Sequence, residues 1–261
     1  MTFRAAYPTR QHEQAAEAIV AAFSQHPDVE AVILMGSCAR GRASPDSCVD
    51  IMIMVLPQVL AEKRAALEGF WTDLYQGDPV FETLRHVGKY SHVDLLLVDG
   101  RFEPQPREWT GGPDEFELEI GNTLVYSAAL WERGDYVRRL KELWLPYYGE
   151  DLRRERLAMV RRCCFNNLDH IPPFVERGLY FQSFNRFYDA FREFLQALFI
   201  SHRTYPIAYD KWIREQVEEI LGLPDLYQQL PRLLEIEHFE SQEIAQKAEE
   251  LRHLWQTYVG E

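Results

Sequence analysis

The sequence predicts an α+β fold: a small α/β domain with a mixed sheet over residues 1–110, followed by a C-terminal helical bundle over residues 111–261. Three observations predict it. Short apolar runs of strand length alternate with helically spaced segments up to about residue 100. A Pro- and Gly-rich stretch, RFEPQPREWTGGPDE at 101–115, then interrupts the pattern. From about residue 116 onward the periodicity is almost wholly helical, which points to a bundle.

Each element has a local reason. Residues 8–26 place Ala15, Ile19 and Phe23 on one helical stripe, and Pro27 ends that helix. EAVILMG, residues 30–36, is a short apolar run stopped by glycine and reads as a buried strand. GSCARGRASPDS, residues 36–47, is a turn-rich connector, and CVDIMIMVL, residues 48–56, is a second strand. Residues 58–76 read as helix. Residues 80–100 read as two strands joined by a turn around Gly88 to Ser91. Further helices are expected near 135–145, 151–170, 181–202, 209–221, 225–236 and 239–258, punctuated by Pro172-Pro173 and Pro206. Within them, FNRFYDAFREFLQALF carries apolar residues at 184, 187, 188, 191, 194, 195 and 198, a strongly amphipathic spacing whose aromatic stripe reads as core. No internal repeat or low-complexity tract interrupts the plan.

Composition bounds the function. At 261 residues, with 46% apolar and 26% charged, the chain has enough sequence for one large or two small cores, and disordered, collagenous and coiled-coil classes are excluded. No apolar run reaches membrane-spanning length, and MTFRAAYPTRQHEQ lacks a signal-peptide core. Cys38, Cys48, Cys163 and Cys164 form no CxxC pair, so their spacing implies neither a disulfide framework nor a zinc site. The expected compartment is the cytoplasm. A net charge of −13 opposes an extended nucleic-acid surface, though not a local basic pocket, and suits a cationic small molecule.

The informative stretch runs from Gly36-Ser37 through Arg40-Gly41 to Ser47-Cys48-Val49-Asp50, with Asp94 opening HVDLLLV. Gly36 lets backbone approach a bulky anion, and Ser37 offers a hydroxyl and an amide at the start of a short helix, where N–H groups favour phosphate. Residues two apart on a strand share a side, so positions 48 and 50 aim at one point, and Asp94 on a neighbouring strand can aim there too. Oxygen ligands converging beside a phosphate site suggest Mg²⁺, and a cation bridged to a triphosphate serves in-line attack at phosphorus.

GSCARGRASPDSCVDI resembles the signature of the DNA polymerase β-like nucleotidyltransferase superfamily. Gly36, Ser37, Arg40, Gly41, Ser47, Asp50 and Asp94 match its pattern, and the domain order resembles that of the kanamycin- and lincosamide-type antibiotic nucleotidyltransferases. The resemblance implies transfer of a nucleoside monophosphate, with AMP from ATP as first expectation, to a hydroxyl of a small-molecule acceptor. It implies Asp50 and Asp94 as ligands of Mg²⁺ or Mn²⁺, Gly36, Ser37 and Ser47 around the nucleotide, and Lys211 neutralising phosphate. The acceptor's proton would go to a carboxylate on the first long helix of the bundle, where Asp169 matches best, with His170 next and Glu117 and Glu119 as rivals. A homodimer is compatible with the family.

One position departs: Cys48 stands where the family has the first metal-binding Asp. A thiol is a soft and usually protonated ligand, poorly suited to Mg²⁺. Three readings stay open: nucleotide binding or regulation without transfer, a single cation on Asp50 and Asp94, or a thiolate-tolerant metal. The bland readings are a buried, inert Cys48, an Asp94 paired with Arg85 or Lys89, a solvated Lys211, and an Asp169 closing a helix before Pro172.

Overall fold

The computed structural model describes residues 5–106 and 109–260. Residues 1–4, 107, 108 and 261, which take in the start of the N-terminal stretch and part of the connector, lie outside the described residues. The chain divides into two compact units, residues 1–103 with 119–144, and residues 104–118 with 145–261. The chain thus passes back into the first unit after the connector instead of leaving it once.

The first unit is built on a four-stranded mixed sheet of β1 (Val29–Met35), β2 (Val49–Val55), β3 (Val93–Val98) and β4 (Ala128–Glu132), in the order β3-β2-β1-β4. β1 runs antiparallel to both β2 and β4, and β2 runs parallel to β3. Side chains alternate across β2, so Val49, Ile51, Ile53 and Val55 enter one apolar core. That core is completed by Ala15, Ile19 and Phe23 of α1 (Arg10–Phe23), Leu67 of α3 (Pro57–Gly77), and Phe81 and Leu84 of α4 (Pro79–Arg85). The opposite parity carries Asp50, Met52 and Met54. A short α5 (Phe116–Ile120) continues into a π-helical turn, Gly121–Val125, whose Thr123 hydroxyl meets the Met52 sulfur at 3.6 Å.

Two elements differ from the sequence reading. Residues 79–85 are the helix α4, not the first strand of a pair. Asp78 caps it by accepting a hydrogen bond from Val80 N at 2.9 Å, and Pro79 occupies its first turn. The Asp-Pro start signal outweighs the β-like composition of Val-Phe-Glu-Thr. Conversely, Ala128–Glu132 is a strand inside the region read as helical, because β1 offers it an edge to pair with despite its alanine-rich sequence. α6 (Tyr136–Trp144) closes the unit, with the Tyr136 hydroxyl donating to the Asp99 carbonyl at 2.6 Å.

The second unit is helical: α7 (Glu150–Glu176), α8 (Tyr180–Ser201), α9 (Pro224–Leu234) and α10 (Glu243–Tyr258). Phe187, Phe191, Phe194 and Leu198 of α8 are core, as their spacing predicts. α7 runs through Pro172-Pro173 instead of stopping before them. The helix expected over 209–221 is confined mainly to a π-helical segment, Glu215–Ile220. Ahead of it the backbone wraps around the Gln216 amide, which accepts from Ile207 N at 2.6 Å and donates to the Ala208 and Lys211 carbonyls at 2.8 and 3.0 Å. Among the described residues no helix is long and apolar enough to cross a membrane.

Candidate active site

The site in the sheet unit grows from the end of β1. Met35 is the register partner of Asp50 on β2, and the chain turns immediately afterwards at Gly36, which has φ +67°. A Cβ at Gly36 would overlap the Asp50 carboxylate. Glycine is therefore required twice, for a left-handed backbone and for the volume that Asp50 occupies. α2 (Gly36–Ala39) follows, and the Arg40 guanidinium, itself buried, donates to the Gly36 carbonyl at 3.1 Å. Ser37 is half-buried at this turn, and its carbonyl accepts from Arg42 N at 2.8 Å.

Asp50 and Asp94 are direct partners across the parallel β2–β3 pair, so they stand side by side on one face of the sheet. Cys48 lies two residues before Asp50 on the same side, and its thiol donates to Asp50 Oδ1 at 3.1 Å. One donor atom each from Cys48, Asp50 and Asp94 lies within 4.8 Å of the others. Burial pushes the Cys48 thiol up to about 12, and the Asp50 charge, its hydrogen bond and the Asp94 charge act in the same direction. Burial and Asp50 likewise raise the Cys38 thiol to about 12. Asp94 is exposed and bonds to the His92 ring at 3.1 Å, not to Arg85 or Lys89.

The loop that delivers Cys48 is anchored from both sides. His12, buried on α1, shares a hydrogen bond with Thr9 at 2.7 Å and reaches the Ser47 carbonyl at 2.9 Å. Ser47 Oγ accepts from Ser44 N at 3.0 Å and closes the turn. From the other side, Lys89 N donates to Asp46 Oδ1 at 3.0 Å and Ser91 Oγ to the Pro45 carbonyl at 2.6 Å. These holding groups escape sequence reasoning. The one available signal is His12, an imidazole on the same stripe as Ala15, Ile19 and Phe23.

A pair of Mg²⁺ ions does not fit this donor set. One of the three converging groups is a neutral thiol that spends its proton on Asp50, leaving two carboxylates for two hard cations. A single divalent cation fits, with Asp50 and Asp94 as its oxygen ligands.

The remaining candidates lie in the second unit. Asp169 sits well inside α7, two turns before its end, and is ion-paired with Arg252 of α10. The neighbouring His170 ring bonds the Asn166 carbonyl at 2.7 Å. Lys211 is exposed beside Trp212, which has φ +60°. Glu117 is fully buried and engaged: Arg156 Nε and Nη2 donate to it at 2.9 and 2.7 Å, the Tyr148 hydroxyl at 2.8 Å and Gln196 Nε2 at 2.8 Å. Arg156 also donates to Asp114 Oδ2 at 2.7 Å. Burial alone would lower the Arg156 guanidinium, but its bonds to Asp114 and Glu117 prevail and raise it. That arrangement is a structural ion cluster and assigns Glu117 no free proton-accepting oxygen.

The sequence matches no family model and no curated protein. Among solved structures, a nucleotidyltransferase-like protein from Exiguobacterium sibiricum 255-15 aligns with 94% of this chain and 74% of its own, at 15% identity and a TM-score of 0.46. At that TM-score the likeness carries no argument about activity.

Proposed function

We propose that the protein is a nucleotidyltransferase that moves a nucleoside monophosphate, AMP from ATP first among them, to a hydroxyl of a small molecule. The observation that carries the reading is the pairing of Asp50 with Asp94 across β2 and β3, directly against the glycine turn that ends β1. The arrangement answers to the motif Gly36-Ser37…Ser47-x-x-Asp50 with a third acidic group on a later strand. A single divalent cation held by Asp50 and Asp94, Mg²⁺ or Mn²⁺ in the family pattern, supplies charge neutralisation at the triphosphate.

The chain's own groups have these roles. The Gly36-Ser37 turn and Ser47 hold phosphate oxygens, and Lys211 adds positive charge. The acceptor oxygen attacks the α-phosphorus. A new O–P bond forms, the bond from the α-phosphorus to the bridging oxygen breaks, and pyrophosphate leaves. The acceptor's proton passes to a carboxylate, for which Asp169 is the candidate, and its release from Arg252 would then be part of acceptor binding. A net charge of −13 favours a cationic acceptor, so an aminoglycoside is the first to try, with lincosamides next.

A specific observation favours a second reading. The Cys48 thiol occupies a ligand position and bonds to Asp50, an arrangement suited to a protein that binds or senses nucleotide without transferring it. Pyrophosphate release from each NTP, with Mg²⁺ or Mn²⁺ and a panel of aminoglycosides and lincosamides, separates the two. Release by the native chain supports the transferase. Release only by Cys48→Asp refutes the transferase for the native chain and supports the binding protein. Silence from both overturns transfer to these acceptors.

A further inference from the structure

We infer that His12 is a positioning residue of the nucleotide site: with Ala6 and Thr9 it forms a brace that holds both ends of the loop 36–47 in the shape that accepts ATP. The inference rests on the reading of that loop as the nucleotide-binding element and adds what gives the loop its shape.

The brace reaches the loop at two points. Near its start, Ala6 N donates to the Cys38 carbonyl at 3.0 Å, an oxygen that also accepts from Gly41 N at 3.3 Å. At its end, His12 Nε2 meets the Ser47 carbonyl at 2.9 Å. A carbonyl only accepts, so Nε2 carries the hydrogen, and Nδ1 of the neutral ring accepts from the Thr9 hydroxyl at 2.7 Å. Both nitrogens of a fully buried imidazole are thus engaged.

Thr9 shows that packing alone does not call for this ring. It is the N-cap residue of α1, with extended backbone, where a threonine hydroxyl ordinarily accepts from an amide of the first turn. Here the hydroxyl makes no capping bond and turns to His12 instead. A leucine at position 12 would continue the buried stripe of Ala15, Ile19 and Phe23 and leave Thr9 free to cap. The chain forgoes the cap and fixes one tautomer and one orientation of the imidazole.

The consequence lies downstream, where three successive residues have a backbone group held. The Ser47 carbonyl is taken by His12, the Cys48 carbonyl accepts from the Cys38 thiol at 3.7 Å, and Val49 N donates to the His92 carbonyl at 2.8 Å. The start of β2 is therefore set before any ligand arrives, and pre-organisation of this kind removes an ordering cost from binding. His12 acts through the Ser47 carbonyl, not on the nucleotide itself.

ATP is titrated calorimetrically, with Mg²⁺ or Mn²⁺, into the whole native chain and into His12→Leu, His12→Gln, Thr9→Val and Ile19→Val, each below its unfolding transition. Glutamine can present an amide N–H where Nε2 stands. His12→Leu should weaken ATP binding by at least about tenfold, with His12→Gln within about threefold of native and Thr9→Val between the two. Ile19→Val, on the same stripe, should lower the unfolding midpoint without changing the affinity. Native affinity in a folded His12→Leu chain would overturn the inference and leave the nucleotide site in place. Should that chain not fold, native affinity in Thr9→Val would do the same. Equal weakening in His12→Leu and Ile19→Val would reduce His12 to packing and also overturn it. Absence of cation-dependent ATP binding in the native chain would overturn the nucleotide-site reading, and this inference with it.

Discussion

Each unit gathers a pair of acidic side chains, and the two pairs are balanced differently. In the helical unit, Asp114 and Glu117 close on the Arg156 guanidinium, with Arg156 3% and Glu117 0% exposed. Tyr148 and Gln196 add further donors. The positive charge there is part of the chain. In the sheet unit, Asp50 and Asp94 stand side by side in register, with a neutral thiol donating to one and an imidazole bonded to the other. That pair sits at the starts of β2 and β3 beside a backbone turn, with Asp50 half-buried and Asp94 exposed. A buried charge cluster is costly to break by removing its counter-ion, whereas a half-buried and an exposed acid at the starts of two strands tolerate change at lower cost.

The largest effect should come from removing the internal cation. Arg156→Leu leaves Asp114 and Glu117 buried without it and should cost about 3–5 kcal/mol in urea unfolding. Adding Glu117→Gln to that variant should recover part of the loss, since it removes one of the stranded charges. Full stability of Arg156→Leu would break the comparison at its helical side. Next comes Gly36→Ala, which places a Cβ in left-handed backbone and against Asp50. It should cost about 2–3 kcal/mol and displace the Asp50 carboxylate, read as weakened cation-dependent ATP binding in the chain that still folds. Smallest is Arg252→Ala, which releases the exposed Asp169 from its ion pair, uncovers the Phe165 ring and should change stability by about 1 kcal/mol. If Asp169 is the proton acceptor, the same variant should shift the pH profile of transfer rather than its stability.

Much of this was legible in the sequence, for physical reasons specific to each part. β1 and β2 announce themselves as apolar runs because both are central strands of the sheet. α8 does so because its stripe of Phe187, Phe191 and Phe194 fills a core. β4 escapes because a strand at the sheet edge owes its conformation to pairing with β1, not to its own residues. α4 has the β-branched and aromatic composition of a strand, and only its Asp-Pro cap marks it as a helix. At the site, parity placed Cys48 and Asp50 on one side, and a strand-start aspartate pointed to Asp94. The reason for Gly36 was only half visible: that its missing side chain makes room for Asp50 depends on the register of β1 with β2. The anchors His12, Asp46 and Ser91 act through loop carbonyls and a loop amide, contacts that no sequence spacing encodes.

The central claim is that the Asp50–Asp94 face is a cation-dependent nucleotide site, and it is tested most directly by calorimetric titration of ATP into the whole chain. Mg²⁺, Mn²⁺ and Zn²⁺ are supplied in turn, with Asp50→Asn and Asp94→Asn run beside the native protein. The account predicts ATP binding that requires a divalent cation and is lost in both variants while their unfolding remains cooperative. Binding that ignores the cation and survives both substitutions, or no binding by the native chain under any of these ions, would contradict it.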